Sequence, residues 1–220
     1  MKNETLPSHW QPLFTAYLLR QDIHEDGAHD MGHLRRVYKT AVRINEQEGA
    51  KGDPLVLLAA CYFHDLVSLP KNHPDRNQSS RLSAEAAGRL LVADFNGFPR
   101  DKIANIQHAI LAHSFSAGIP PETYEAKVLQ DADRMEALGA IGIARTFYTA
   151  GIMHSRMFHE DDPMGLHREL DDRVYSLDHF EVKLLQLPTM MQTEAGKKMA
   201  EERAALLVRF REQMVNEVLG

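Results

Sequence analysis

An all-α fold, a single-domain helical bundle, is what this chain predicts, on three observations. Apolar residues recur at helical spacing through most of the 220 residues. The Val/Ile/Thr/Tyr alternation of half-buried strands is scarce. The ten prolines and thirteen glycines stand between the periodic segments as punctuation, with no repeat, low-complexity tract or Gly/Ser linker. A chain of this length buries roughly 70% of its unfolded surface, so one core needs no cross-link.

The elements follow in order. A first helix is expected over about 9–21, with Leu13, Tyr17 and Arg20 in register. A second covers about 32–48, with Leu34, Val37, Ala41 and Ile44 inward and Gly49 as its stop. Asp53-Pro54 supplies an N-cap and a proline at the first helical position, opening a helix to about Leu66 that is apolar all round and therefore central. A polar loop over 68–77 leads to a helix capped by Ser79, Ser80 and Ser83 and ending near Phe95. Pro99 opens the next, with Ile103, Ile106 and Ile110 on one face, up to His113. From about Thr123 a long, broken helix reaches Tyr148, with Gly139 and Gly142 allowing close packing. Residues 151–172 read as an irregular, mobile loop holding His154, His159 and His167. Helices over about 176–187 and 194–219 complete the domain, the last with a solvated outer face.

Composition removes several function classes. Lys and Arg number 25 against 31 Asp and Glu, a net charge of −6 without a basic block, which disfavours nucleic acid as a partner. No apolar run approaches the roughly 18 residues of a membrane span, and the N-terminus lacks the apolar stretch of a secretory signal. The single cysteine, Cys61, lies in an apolar run and reads as core packing, so a reducing, cytoplasmic location is expected. Twelve histidines, several beside aspartates, are the feature that carries chemistry.

His64-Asp65 sits at the C-terminal end of the buried central helix, and a carboxylate at that depth is costly unless paired or bound to metal. Gln130-Asp131-Ala132-Asp133-Arg134 interrupts another apolar face; Asp133, on the side of Leu129 and Ala132, is expected to point inward and Asp131 elsewhere. His29-Asp30-Met31-Gly32-His33 places His33 in the first turn of the second helix. Brought together, His33, His64, Asp65 and Asp133 offer two imidazole nitrogens and two carboxylate oxygens. That set suits one divalent ion, Mn, Fe, Co, Ni, Zn or Mg, with coordination positions left for water and substrate.

In the order His…His-Asp…Asp, the segments His33-Leu34-Arg35-Arg36-Val37, Ala59-Ala60-Cys61-Tyr62-Phe63-His64-Asp65 and Gln130-Asp131-Ala132-Asp133-Arg134-Met135-Glu136-Ala137-Leu138-Gly139 resemble the HD-domain superfamily of metal-dependent phosphohydrolases. The resemblance covers about residues 29–147. Lys71-Asn72-His73-Pro74 and Ala112-His113-Ser114-Phe115-Ser116 make it closest to the small bacterial stand-alone HD hydrolases. It implies an all-helical fold, a metal on the four residues named, and hydrolysis of a phosphate ester or anhydride in a nucleotide or similar small phosphorylated metabolite. Two departures stand out. Some relatives carry an acid just after the His-Asp pair, where this chain has Leu66-Val67-Ser68-Leu69-Pro70. Binuclear relatives use further histidines, but His108 and His113 diverge by about 140° on one helix, so one metal is expected, with His113 near the pocket.

On that resemblance the metal activates water and polarises a phosphoryl oxygen, with Asp65 both ligand and acceptor for the water. Arg36, Lys71 and Arg76 are expected to meet the phosphate charge, and His113 or His73 to protonate the leaving group. Three classes stay open at this point: the phosphohydrolase, a catalytically silent metal- and nucleotide-binding sensor module favoured by the absent acid, and a scaffold in which the metal is a structural clip.

Overall fold

The structure is a computed structural model that describes residues 6–21, 30–69, 75–114 and 117–220. Among the described residues the chain is all-α, with nine α-helices, short 3-10 turns and no strand beyond one isolated bridge between Arg156 and Tyr175. None of these helices is long and apolar enough to cross a membrane. The chain, read from its sequence as one domain, divides into two compact units, residues 1–133 and 134–220.

The first unit begins with α1 (Pro7–Arg20), which buries Trp10, Phe14 and Leu18 at helical spacing. This corrects the expected register: Leu13 is exposed, because the larger aromatic pair turns to the core instead. Phe14 packs on Phe63 and Phe95 with ring centroids 4.6 and 4.9 Å apart, and Trp10 on Phe98 at 5.0 Å. Phe63 directly precedes His64, so this cluster anchors the approach to the His-Asp pair.

Helices α2 (Met31–Gln47), α3 (Pro54–Phe63), α4 (Ser79–Ala93), α5 (Ile103–His113) and α6 (Tyr124–Arg134) surround one core. Their directions follow from bonds at their ends. Asp53 caps α3, accepting from the amides of Leu55 and Val56 at 2.9 and 3.2 Å, and pairs with Lys102 just before α5. Glu125, at the start of α6, accepts from Asp53 N at 2.8 Å and from Asn105 of α5 at 3.0 Å. Near the other end, Gln130 donates to Ala112 O at 2.7 Å. Thus α3, α5 and α6 start together and run parallel. Asn45 bonds both polar backbone atoms of Gly52, folding α2 antiparallel to α3. One end of the bundle therefore gathers the start of α2 and the ends of α3, α5 and α6.

Two expectations about this unit change. The central helix stops at Phe63 rather than Leu66, because the chain beyond it is captured by α4. The serines at the start of α4 are not caps: Ser83 Oγ accepts from Val67 N at 3.0 Å and donates to Val67 O at 3.2 Å, while Ser79 Oγ accepts from Leu69 N at 3.3 Å. Elsewhere on α4, Gly88 leaves room for Gln107 of α5, whose amide donates to Ala84 O at 3.2 Å.

In the second unit the break in the long helix is a 3-10 turn over Met135–Ala137, after which Gly139, at φ +70°, starts α7 (Gly139–Ile152). A Cβ on Gly142 would lie 2.2 Å from Ala137 O, so the turn and α7 approach as only glycine permits. The segment read as irregular and mobile is irregular and carries hydrogen bonds of its own, among them those from the amides of Leu166 and His167 to Asp162. Arg168 forms a two-pronged pair with the buried Asp178 at 2.6 and 2.7 Å, and Asp178 also accepts from Asp171 N. Helix α8 (Asp178–Val182) is shorter than expected and gives way to a 3-10 stretch over Leu184–Met190 containing Pro188. The last helix, α9 (Glu194–Leu219), spans the expected residues and buries Ala195, Met199, Ala200, Ala204 and Leu207 on one face.

Candidate metal centre

Each donor arrives at the shared end of the bundle for a local reason. His33 is in the first turn of α2, whose N-cap Asp30 accepts from His33 N at 2.8 Å. His64 is the residue that closes α3, and its Nδ1 bonds Cys61 O at 2.9 Å. A carbonyl can only accept, so Nδ1 carries a proton and Nε2 is the nitrogen that faces the other donors. Cys61, as expected, is core; burial and the nearby Asp133 charge push its thiol pKa up.

The distances close the set. His33 Nε2 and His64 Nε2 are 3.2 Å apart. Asp65 Oδ2 lies 3.7 Å from the first and 3.4 Å from the second. Asp133 Oδ1 is 3.7 Å from both. Neighbouring donors around an ion at a bond length of about 2.1 Å sit about 3.0–3.4 Å apart, so His33, His64 and Asp65 fit a divalent cation with adjustments of a few tenths of an ångström, and Asp133 stands beside both imidazoles. Among the described residues, the His, Cys, Asp and Glu donors that all lie within 4.8 Å of one another are those of His33, His64 and Asp65. The imidazoles are fully buried, whereas the Asp65 and Asp133 side chains keep 21 and 28% exposure. A cation would thus be gripped from below by nitrogen and remain open to water and substrate on the carboxylate side.

The local field also suits a cation. Three parallel helices, α3, α5 and α6, turn their carbonyl ends towards this point, each the negative pole of its dipole. Burial lowers the pKa of His64, but the charges of Asp65 and Asp133 outweigh it and raise the value from 6.5 to about 9. Both carboxyls are opposed by burial yet held well below their usual range by His64, His113 and His33. These carboxylates hold positive charge, which in the absence of metal is a proton.

Of the remaining expected residues, His113 closes α5 with Nδ1 bonded to Ile110 O at 2.5 Å and Nε2 3.7 Å from Asp65 Oδ1. His108 faces away: its Nε2 accepts from Glu122 N at 2.9 Å on the surface. Arg36 folds back over the first turn of α2, its Nη1 3.0 Å from where a Gly32 Cβ would stand. Arg76 donates to Leu69 O at 3.0 Å, bracing the segment after the His-Asp pair. Lys71 and His73 lie outside the described residues. Asp131, expected to point away from the core, is fully buried. The reason is that α6 is buried on several faces, from Glu125 to Ala132, and Asp133 is the member at the open rim. Sequence reasoning missed Ser83, whose bonds cross to residue 67; a serine near a helix start carries no signal that separates such a contact from a cap.

A family model described as the HD domain matches residues 31–138. The uncharacterized protein YpgQ of Bacillus subtilis is 32% identical over 200 residues, 89% of this chain and 87% of that protein. A crystal structure of an HD-superfamily hydrolase from Bacillus thuringiensis is similar with a TM-score of 0.71 at 29% identity, covering 96% of this chain and 98% of that one. The structure of YpgQ in complex with ADP is similar with a TM-score of 0.68 at 27% identity, covering 97 and 95%.

Proposed function

This chain belongs to the HD-domain superfamily of metal-dependent hydrolases, and from that premise we propose that it is a phosphohydrolase cleaving a phosphate ester or anhydride of a nucleotide. The observation that carries the reading is the pair of buried imidazoles facing two partly open carboxylates within 3.2–3.7 Å. An ion held by His33, His64, Asp65 and Asp133 supplies Lewis-acid polarisation of a phosphoryl oxygen and a lowered pKa of water near neutrality. The ADP complex of the related YpgQ supports a nucleotide over other phosphorylated metabolites.

The chain's own residues divide the remaining work. The two Asp65 oxygens face different partners, Oδ2 the imidazoles and Oδ1 the Nε2 of His113 at 3.7 Å, so the carboxylate would bind the ion through one oxygen and keep the other turned to His113. With the Nδ1 proton of His113 committed to Ile110 O, its Nε2 is the atom that takes up or gives a proton, which suits leaving-group protonation. Arg36, Arg76, Lys71 and His73 are assigned to the phosphate charge, the arginines by forked hydrogen bonds and the lysine as a point charge.

The test is a panel of nucleoside mono-, di- and triphosphates with Mn²⁺, Co²⁺, Ni²⁺ and Mg²⁺, with products identified by mass. Metal-dependent release of phosphate or pyrophosphate, abolished in a folded Asp65→Ala variant, is the expected result. Ligand-induced rises in melting temperature without turnover across the panel would transfer the assignment to a sensor module.

A further inference from the structure

We propose that Ser83 is a positioning residue that holds Asp65 in its metal-binding place, an inference resting on the reading of this site as a metal centre. One buried hydroxyl satisfies both polar atoms of Val67, accepting from its N at 3.0 Å and donating to its O at 3.2 Å. Two further bonds hold the next residues to the same region: Ser79 Oγ accepts from Leu69 N at 3.3 Å, and Arg76 donates to Leu69 O at 3.0 Å. The segment leaving Asp65 is therefore clamped by four bonds starting two residues after the ligand, three to α4 and one to Arg76 in the turn before it.

The clamp matters because α3 has already ended. His64 is oriented by its own bond to Cys61 O, but Asp65 lies beyond the helical ladder, in a turn whose one backbone bond of this kind is Leu66 N to Phe63 O at 3.3 Å. Its carboxylate must nevertheless stay 3.4 Å from one imidazole and 3.7 Å from another. With the upstream side tied to α3, fixing the downstream side sets the direction of the Asp65 side chain. The Ser83 hydroxyl accepts and donates at once through a single oxygen, and alanine would orphan both Val67 groups. Metal affinity depends on such outer partners by about 10–100-fold.

The same helix supplies a control. Ser80 is as buried as Ser83, but its Oγ has no hydrogen-bond partner among the described residues. Mn²⁺ binding to the full chain is measured by titration calorimetry, alongside hydrogen exchange at the Val67 and Leu69 amides. Ser83→Ala is expected to weaken Mn²⁺ binding by about 10–100-fold and to lose Val67 protection. Ser83→Thr, which keeps the hydroxyl, and Ser80→Ala are expected to bind Mn²⁺ as the wild type does. Ser79→Ala, at the more open end of the clamp, is expected to shift binding in the same direction by less, and decides the matter should Ser83→Ala not fold. Loss of amide protection with unchanged Mn²⁺ affinity would overturn the proposal, leaving Ser83 a purely structural tie. Equal weakening by Ser80→Ala would overturn it as well. A wild-type chain that binds no divalent ion would instead fail the metal-centre reading itself.

Discussion

His33 Nε2 and His64 Nε2 face each other across 3.2 Å in a fully buried setting, one from the first turn of α2 and the other from the residue that closes α3. That approach is reasonable for two nitrogens that share a proton or a cation, and two carboxylates stand ready to balance either. Replacing His33 or His64 by alanine is expected to weaken divalent-ion binding by more than about 100-fold, since loss of an outer partner alone costs about 10–100-fold. Titration of the purified variants with Mn²⁺, with circular dichroism as the check on folding, decides this; a variant binding within a few-fold of wild type would remove that histidine from the ligand set.

Proton and metal compete for the same charge. In the metal-free chain His64 has a folded pKa near 9 against 6.5 unfolded, so the proton's contribution to stability is complete below 6.5 and is lost as pH rises through about 9. Asp65 and Asp133 act oppositely: their depressed values contribute above the ordinary carboxyl value of 3.8, and the contribution is lost as pH falls below it. An ion entering at neutral pH must displace the His64 proton. Binding is therefore expected to release about one proton, and apparent affinity to rise by up to about tenfold per pH unit until the His64 value is passed. Calorimetry in two buffers of different ionisation enthalpy counts the protons, and a count of zero near neutrality would contradict this balance.

Much of this centre is legible before folding. Asp53-Pro54 marks the start of α3 by cap chemistry, His64-Asp65 marks its end by the cost of burying ionisable groups, and the extent of α9 follows its apolar spacing. What escapes the sequence is what depends on contacts between distant segments. The Ser83 hydroxyl meets residue 67 only after the chain has turned back. Asp131 is buried because α6 is covered on several sides, which one helix's periodicity does not express. The register of α1 turns on which aromatics find Phe63, Phe95 and Phe98.

Gly142 offers a test of packing in the second unit. A Cβ there would stand 2.2 Å from the carbonyl oxygen of Ala137, a backbone atom that cannot swing aside. Alanine gains about 1 kcal/mol of helix propensity over glycine. Forcing the 3-10 turn away from α7 costs about 1–3 kcal/mol or more, so Gly142→Ala is expected to be net destabilising. Equilibrium denaturation measures the balance, and a variant more stable than wild type would mean that the turn yields freely.

Arg168 and Asp178 test whether the segment between α7 and α8 is held by one ion pair. Asp178 is fully buried and takes both Arg168 prongs as well as the Asp171 amide, while the Arg168 guanidinium also lies over the Tyr175 ring at 4.6 Å. Removing the arginine strands a buried carboxylate, which typically costs about 3–5 kcal/mol, whereas removing charge from both partners costs far less. Arg168→Ala is accordingly expected to lower stability more than the double variant Arg168→Ala with Asp178→Asn. Limited proteolysis of Arg168→Ala should then cut first between residues 153 and 177, where the released backbone bonds lie. Equal stability of the single and double variants would show that the cost comes from lost packing over Tyr175 and not from the unpaired charge.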